Sequence, residues 1–274
     1  MEKEDAVRTD IEIRPLSKEQ DGENYIRLQR EVSPFRRMFD EKDFCDKSWE
    51  DMFAEGRVPY AITKGEDRQF CGYCAIKNIK LDKPEIEIEL LEKFRGCGIG
   101  YAALYFLIDT IAERYGVKQF TYCTDSDNYA SQGLVSRVGG KPAGLERFFF
   151  LREDEMEGFE EENMDMIDDK LKDVAGLFGV EPRKLLSHIL VYTIDIDDFA
   201  QSVKTNKGKQ NISIKTEEFD LDHAVRRKAE KKYMDNLLGK LYSIHEQDSQ
   251  DALAEMKGLL KRELQYLNME GHNG

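Results

Sequence analysis

The sequence has no surplus of basic charge. Its 274 residues carry 41 Lys and Arg against 55 Asp and Glu, a formal net charge of −14. Nonspecific nucleic-acid binding needs clustered positive charge, so that class is disfavoured. There is no run of ~18 apolar residues, so no membrane span is expected. The opening MEKEDAVRTD has no apolar signal core, and the chain reads as cytoplasmic. Five cysteines are an odd number, scattered in apolar or glycine-rich surroundings, and are expected as reduced thiols rather than a disulfide framework. The four histidines, His188, His223, His245 and His272, all lie in the last third of the chain. No Ser/His/Asp or Cys/His triad can be assembled around the glycine-rich stretch described next. No internal repeat is present. What remains is 40% hydrophobic residues, enough for a core, in a length that suits one large domain or two small ones.

The most informative stretch is Leu90 to Tyr115, LLEKFRGCGIGYAALYFLIDTIAERY. It begins as the end of a strand and finishes as a long apolar helix. Between them lies Arg95-Gly96-Cys97-Gly98-Ile99-Gly100. Glycine opens backbone conformations closed to other residues and lets a ligand approach the main chain. The first turn of the following helix leaves N–H groups without intrahelical acceptors, at the positive end of the helix dipole. Such a loop is an anion site, and phosphate or pyrophosphate is its simplest ligand. The P-loop pattern G-x-x-x-x-G-K-[ST] does not fit. The dinucleotide fingerprint fails because its last Gly would fall on Tyr101.

The pattern that does fit is Arg-x-x-Gly-x-Gly, on Arg95, Gly98 and Gly100. It resembles the pyrophosphate-binding motif of the GNAT superfamily of acyl-CoA-dependent N-acetyltransferases, between the fourth strand and the third helix. A second segment, Asn128-Tyr129-Ala130-Ser131 running to Gly139-Gly140, resembles the family's Asn-x-x-Ser/Ala…Gly-Gly/Phe stretch. The resemblance covers roughly residues 11 to 151. It implies an α+β fold: a mixed, mostly antiparallel sheet with flanking helices, whose fourth and fifth strands splay apart to hold acyl-CoA. It implies acetyl-CoA as co-substrate, no metal, and an amine acceptor from a small molecule, amino acid or peptide. The cofactor contacts it implies are Leu90, Leu91, Arg95, Gly96, Cys97, Gly98, Ile99, Gly100, Tyr101, Asn128 and Ser131.

Taken in order, residues 1–9 are polar. Ile11 to Arg14 alternates and is stopped by Pro15, a short strand. Asp21 to Val32 has helical spacing, and Ser33-Pro34 ends it. Ser48 to Ala54 reads as a helix with Ser48 as N-cap. Tyr60 to Thr63 and Phe70 to Ile79 are strands around a turn at Lys64 to Asp67. Glu85 to Leu90, EIEIEL, alternates strictly and enters the glycine loop. Ile99 to Tyr115 is a helix apolar almost all round in its first half, hence buried, with Gly116 as its stop. Lys118 to Thr124 is a strand. Asp125 to Asn128 supplies capping for a helix through Val138. Arg147 to Leu151 is a further strand.

Beyond this, Glu153 to Glu162 is an acidic run expected to be a solvated connector. Met164, Ile167, Leu171, Val174 and Phe178 form a helical stripe. We take 153–188 as a helical insertion and 189–196 as the last strand, within a GNAT-like domain of residues 10–197. Residues 199–215 read as a loop with a short strand at 212–214, and 198–274 as a mainly helical C-terminal extension. The alternative is a separate α/β domain over 153–274. Two amphipathic helices are expected at roughly 222–245 and 250–267. Their stripes need cover from each other, from the 164–178 stripe, or from a second subunit, so a homodimer stays open.

Acetyl transfer requires an amine that has lost its proton and a thioester held beside it. Proximity supplies several kcal/mol, and acid–base help about 10²–10⁴-fold. The base candidates are Glu87 and Glu89, which share a strand face with Glu85; the plainer reading is a solvated face. Three like charges there would favour a cationic substrate. Ser131 is a candidate donor toward the thiol sulfur. Many family members carry a Leu-Tyr pair in the helix after the fifth strand; here Val135 follows Leu134, and Tyr122 and Tyr129 read as packing residues. Cys97 needs to offer only its backbone N–H. Cys71 and Cys74 form C-x-x-C on a strand with no second pair, which argues against zinc or redox use. Asp125-Ser126-Asp127 lacks the Gly and Glu of a calcium loop, and capping is the better reading. Two functions follow: an N-acetyltransferase acting on a primary amine, or an idle GNAT-like module that binds CoA or a protein partner.

Overall fold

The computed structural model describes residues 9–79, 81–148, 151–206 and 212–216. The strands are β1 (Thr9–Pro15), β2 (Val58–Lys64), β3 (Gln69–Lys77), β4 (Glu85–Leu90), β5 (Gln119–Thr124), β6 (Lys141–Arg147), β7 (His188–Asp195) and β8 (Ile212–Thr216). They form one sheet in the order β6-β7-β5-β4-β3-β2-β1-β8. Only β1–β8 and β4–β5 run parallel; the other neighbours are antiparallel. The helices are α1 (Gly22–Val32), α2 (Lys42–Asp51), α3 (Ile99–Tyr115), α4 (Tyr129–Arg137), α5 (Met156–Glu162), α6 (Asp169–Phe178) and α7 (Ile196–Asn206). None among the described residues is long and apolar enough to cross a membrane.

Strands β2 and β3 are buried along almost their whole length, as expected of central strands covered on both faces. The register assigns the covers. Tyr73 lies opposite Glu89, and its ring meets Tyr25 of α1 at 5.8 Å, so α1 covers the Glu87/Glu89 face. Tyr60 meets Phe106 of α3 at 5.9 Å, and Gly100 of α3 lies against Leu90 and Ile88, so α3 covers the opposite face. Ile99, Leu104, Leu107, Ile108 and Ile111 of α3 are buried. Their burial contributes on the order of 10 kcal/mol before chain entropy is subtracted.

Several sequence expectations need correction. The second helix spans Lys42–Asp51 after a short 3₁₀ turn at Arg36–Asp40, so Ser48 lies inside it and caps nothing. Its hydroxyl instead meets the Tyr25 hydroxyl at 2.8 Å. The strand expected at 147–151 lies earlier, at Lys141–Arg147, because Gly139 and Gly140 turn the chain straight into pairing with β7. The acidic run is partly helical and is pinned by Glu160. That side chain is wholly buried and accepts from Arg183, Lys184 and Ser187 at 2.8, 3.0 and 2.7 Å. The first part of the loop expected at 199–215 is helical, within α7 (Ile196–Asn206). Phe199 is buried against Tyr105 at 5.6 Å, and Asp198 pairs with Lys141 at 2.6 Å.

The 164–178 stripe is covered within the sheet domain only over its second half, and Met164 at its start is exposed. Leu171 and Val174 are buried, and Phe178 packs edge-on against Tyr192 of β7 at 5.1 Å. The helices expected at 222–245 and 250–267 lie outside the described residues.

Candidate active site

Strands β4 and β5 pair only where β4 begins, Glu85 with Thr121 and Ile86 with Tyr122 in the middle of β5. Beyond that point β4 pairs with β3 alone, and β5 pairs with β7. The two parallel strands diverge, leaving the peptide groups of Glu87 to Leu90 on that side without a neighbouring strand. An open edge offers hydrogen-bonding groups to an extended ligand. The gap also joins the face under α1 to the face under α3.

At the mouth of the gap the chain turns through a 3₁₀ segment, Glu92–Phe94, into the glycine loop. Gly96 and Gly98 have φ of 74° and 87°, a region costly for residues with a Cβ. Gly98 caps α3, and its carbonyl accepts from Ala102 N at 3.1 Å. Among the described residues no acceptor engages the main-chain N–H groups from Gly96 to Tyr101. They converge at the positive end of α3, which is the requirement for binding a phosphate. Arg95 is exposed and its Nε donates to Leu90 O at 3.0 Å. The Cys97 thiol turns away to Phe94 O at 2.9 Å. A Cβ on Gly100 would come within 3.1 Å of Leu134, so glycine there lets α3 and α4 close on each other.

On the α1 face the three glutamates differ. Glu87 Oε1 accepts from Tyr73 OH at 2.7 Å. Its other oxygen is bonded by Arg57 and lies 3.3 Å from Lys77 Nζ. Glu85 pairs with Lys77 at 3.1 Å. Burial pulls the Lys77 ammonium down, but Glu87 and Glu85 outweigh it and hold it above the ordinary lysine value. Among the described residues no cation is bonded to Glu89; Gln29 Nε2 of α1 donates to its Oε2. Burial and the neighbouring Glu87 charge push the Glu89 carboxyl up to about 7, against hydrogen bonds from Gln29 and Tyr73 and the more distant Arg57 charge. A carboxyl that titrates near neutrality can take up and release a proton at physiological pH. The expectation of an acidic face drawing in a cation is therefore corrected: two of its three charges are answered by Arg57 and Lys77.

On the other face Ser131, in the first turn of α4, meets the Tyr122 hydroxyl at 2.8 Å. Asn128 Oδ1 accepts from Ser131 N at 3.1 Å and caps α4. Burial pushes the Tyr122 hydroxyl up to about 12 despite the Ser131 bond, so it stays protonated. Val135 is fully buried and offers no proton. Cys71 and Cys74 are buried three apart on β3, hence on opposite faces. Among the described residues no group of three His, Cys, Asp or Glu side chains could hold a metal.

Sequence reasoning named Glu87, Glu89 and Ser131, and the fold sets all three around one gap. It missed Gln29, Arg57, Tyr73 and Lys77, which decide how the two carboxylates differ. Only Tyr73 and Lys77 carried a signal, since they alternate with Ala75 on a strand antiparallel to β4.

The site's geometry bears on a sequence comparison. Residues 10–141 match the family model described as acetyltransferase (GNAT) domain, which spans the splayed strands and the glycine loop. Those residues are a GNAT acetyltransferase domain. Solved structures of GNAT acetyltransferases resemble this chain at low identity. A spermidine N-acetyltransferase from Vibrio cholerae in complex with CoA and spermine is 10% identical, covers 69% of this chain and 98% of its own, with a TM-score of 0.47. Mycobacterium smegmatis RimJ in complex with CoA-disulfide is 14% identical over 70% and 87%, at 0.48. A ribosomal-protein-S5-alanine acetyltransferase from Vibrio fischeri is 12% identical over 68% and 93%, at 0.46. No curated protein matches this chain.

Proposed function

We propose that this protein transfers an acetyl group from acetyl-CoA to a primary amine, with Glu89 as general base. One observation carries the reading: a carboxyl free of any bonded cation, titrating near 7, beside a gap whose mouth is a cluster of unengaged N–H groups. Acetyl-CoA supplies the thioester. The N–H groups from Gly96 to Tyr101 hold its pyrophosphate, with Leu90, Leu91 and Asn128 flanking the arm. The acceptor amine enters from the α1 face. Its nitrogen gives a proton to Glu89, directly or through one water, and bonds to the acetyl carbon as the carbon–sulfur bond breaks. The sulfur leaves as a thiolate, steadied by a hydrogen bond from Ser131, which is backed by Tyr122, and takes up a proton from solvent as Glu89 releases the amine's proton to solvent. Glu87, held by Arg57, Lys77 and Tyr73, raises the affinity of Glu89 for a proton without competing for it.

The test is release of free CoA thiol from acetyl-CoA with a panel of amines. Turnover with at least one amine, lost in Glu89→Gln while acetyl-CoA still binds, supports the reading. Tight acetyl-CoA binding with no thiol release from any amine would instead favour the idle module, for which Val135 is the motivating observation.

A further inference from the structure

We infer that the acceptor is a primary amine that also carries a carboxylate, an amino acid or an acidic peptide, whose carboxylate is read by Arg36 and Arg37. This rests on the transferase reading above and narrows its acceptor. The buried half of the argument is the charge count on the α1 face. Glu85 is matched by Lys77, and Glu87 by Arg57 and Lys77. That leaves only Glu89 without a bonded cation, and its role is to accept the proton of the reacting amine. A polyamine would bring two or more further positive charges to a β4 face whose Glu85 and Glu87 are already paired and which holds two cations, while the exposed Glu31 at the end of α1 is engaged, among the described residues, only by the Glu92 N–H. Desolvating an unpaired charge there is unfavourable.

The exposed half is at the end of α1. Gln29, which touches Glu89, lies in its last full turn, and Glu31 Oε1 accepts from the main-chain N–H of Glu92, just past β4. The end of α1 therefore sits at the gap. Ser33 begins about 6 Å further along the axis than Gln29. From there Ser33 to Met38 line a depression of about 490 Å³, room for an amino-acid or peptide side chain. Arg36 and Arg37 project from it, both exposed, and neither has a bonded partner among the described residues. The acid in the same turn, Asp40, lies 3.9 Å from Arg30, which also holds Phe39 O at 2.8 Å. Lys42 is bonded to Asp46. Two uncommitted guanidinium groups beside an apolar rim of Phe35 and Met38 suit a carboxylate on an otherwise ordinary side chain.

The experiment compares kcat/KM for acetyl transfer to free glutamate, to peptides with Asp and Glu after the first residue, to matched peptides with Lys and Arg there, and to spermidine. Wild type is expected to prefer the acidic acceptor at least tenfold over the basic one. The double substitutions Arg36→Gln/Arg37→Gln and Arg36→Glu/Arg37→Glu should abolish and then reverse that ratio, read at two salt concentrations because exposed charges are screened. The glutamate and peptide arms separate a free amino acid from a chain terminus. A preference for spermidine or the basic peptide, or an acidic preference that survives both double variants, overturns this inference and leaves the transferase reading standing. Acetyl-CoA binding without transfer to any acceptor sinks that reading and this one together.

Discussion

Glu89 sits between two demands. Its strand face is covered by α1, so its charge is poorly hydrated, and Glu87 lies two residues away on the same face. As base it must be ionised, so turnover is expected to rise with pH through about 7. Glu89→Gln should lower kcat about 10²–10⁴-fold and flatten that limb, with acetyl-CoA affinity unchanged by calorimetry. A retained limb near 7 would assign it to another group. The same shift has a consequence for stability. A carboxyl whose folded value is raised above its unfolded one, near 4.3, favours folding when protonated. That contribution is complete below the unfolded value and is lost as pH rises through about 7. Glu89→Gln should thus be more stable than wild type at pH 8, by about 1–3 kcal/mol, and indistinguishable from it near pH 4. Denaturant titrations at the two pH values check both signs.

Two glycines set the geometry of whole elements. Gly98 starts α3 at φ 87°, and a β-branched side chain there would also stand among the N–H groups proposed for the pyrophosphate. Gly98→Val is expected to abolish acetyl-CoA binding at protein concentrations where wild type saturates; unchanged affinity would remove the basis of the proposed site. Gly72 lets β3 pass under β4, where a Cβ would lie 2.0 Å from Glu89 O. Gly72→Ala should destabilise by about 3 kcal/mol and, by moving the end of β4, reduce turnover in the fraction that still folds. Thermal unfolding and kcat measured on the same sample distinguish the two effects. At this scale much was legible. Glu85–Leu90 and Ile99–Tyr115 were readable to the residue, because strict alternation and an apolar helix between two glycines leave one solution. The strand at Lys141–Arg147 was not, because it contains Pro142, Ala143 and Gly144 and its pattern is weak; pairing with β7 makes it a strand. Helix α7 was missed although Ile196, Phe199, Ala200 and Val203 stand at helical spacing, because polar residues dominate the stretch that follows; Phe199 in a tertiary pocket anchors it.

For the molecule as a whole, the sheet is closed at one side by a segment far along the chain. β8 pairs in parallel with β1, and a Cβ on Gly139 would lie 2.8 Å from the Asp198 carbonyl, where α7 begins. Truncation after Asp198 removes β8, most of α7 and the buried Phe199. The fragment is expected to be insoluble or to unfold without cooperativity, whereas truncation after Thr216 should keep a cooperative transition and acetyl-CoA binding. A fragment 1–198 that melts cooperatively at the full-length midpoint would show that β8 and α7 contribute nothing to the sheet. By itself the sequence determined the glycine loop, the strand that enters it, the buried helix that leaves it and the candidates Glu87, Glu89 and Ser131. All of these depend on local backbone freedom and periodicity, which neighbouring residues set. The tertiary structure decided which carboxylate is available, because Arg57, Lys77, Tyr73 and Gln29 reach β4 from β2's approach, from β3 and from α1. It also decided the charge that the acceptor meets. Charge in a cleft depends on pairs formed across elements, and no spacing along the chain records them.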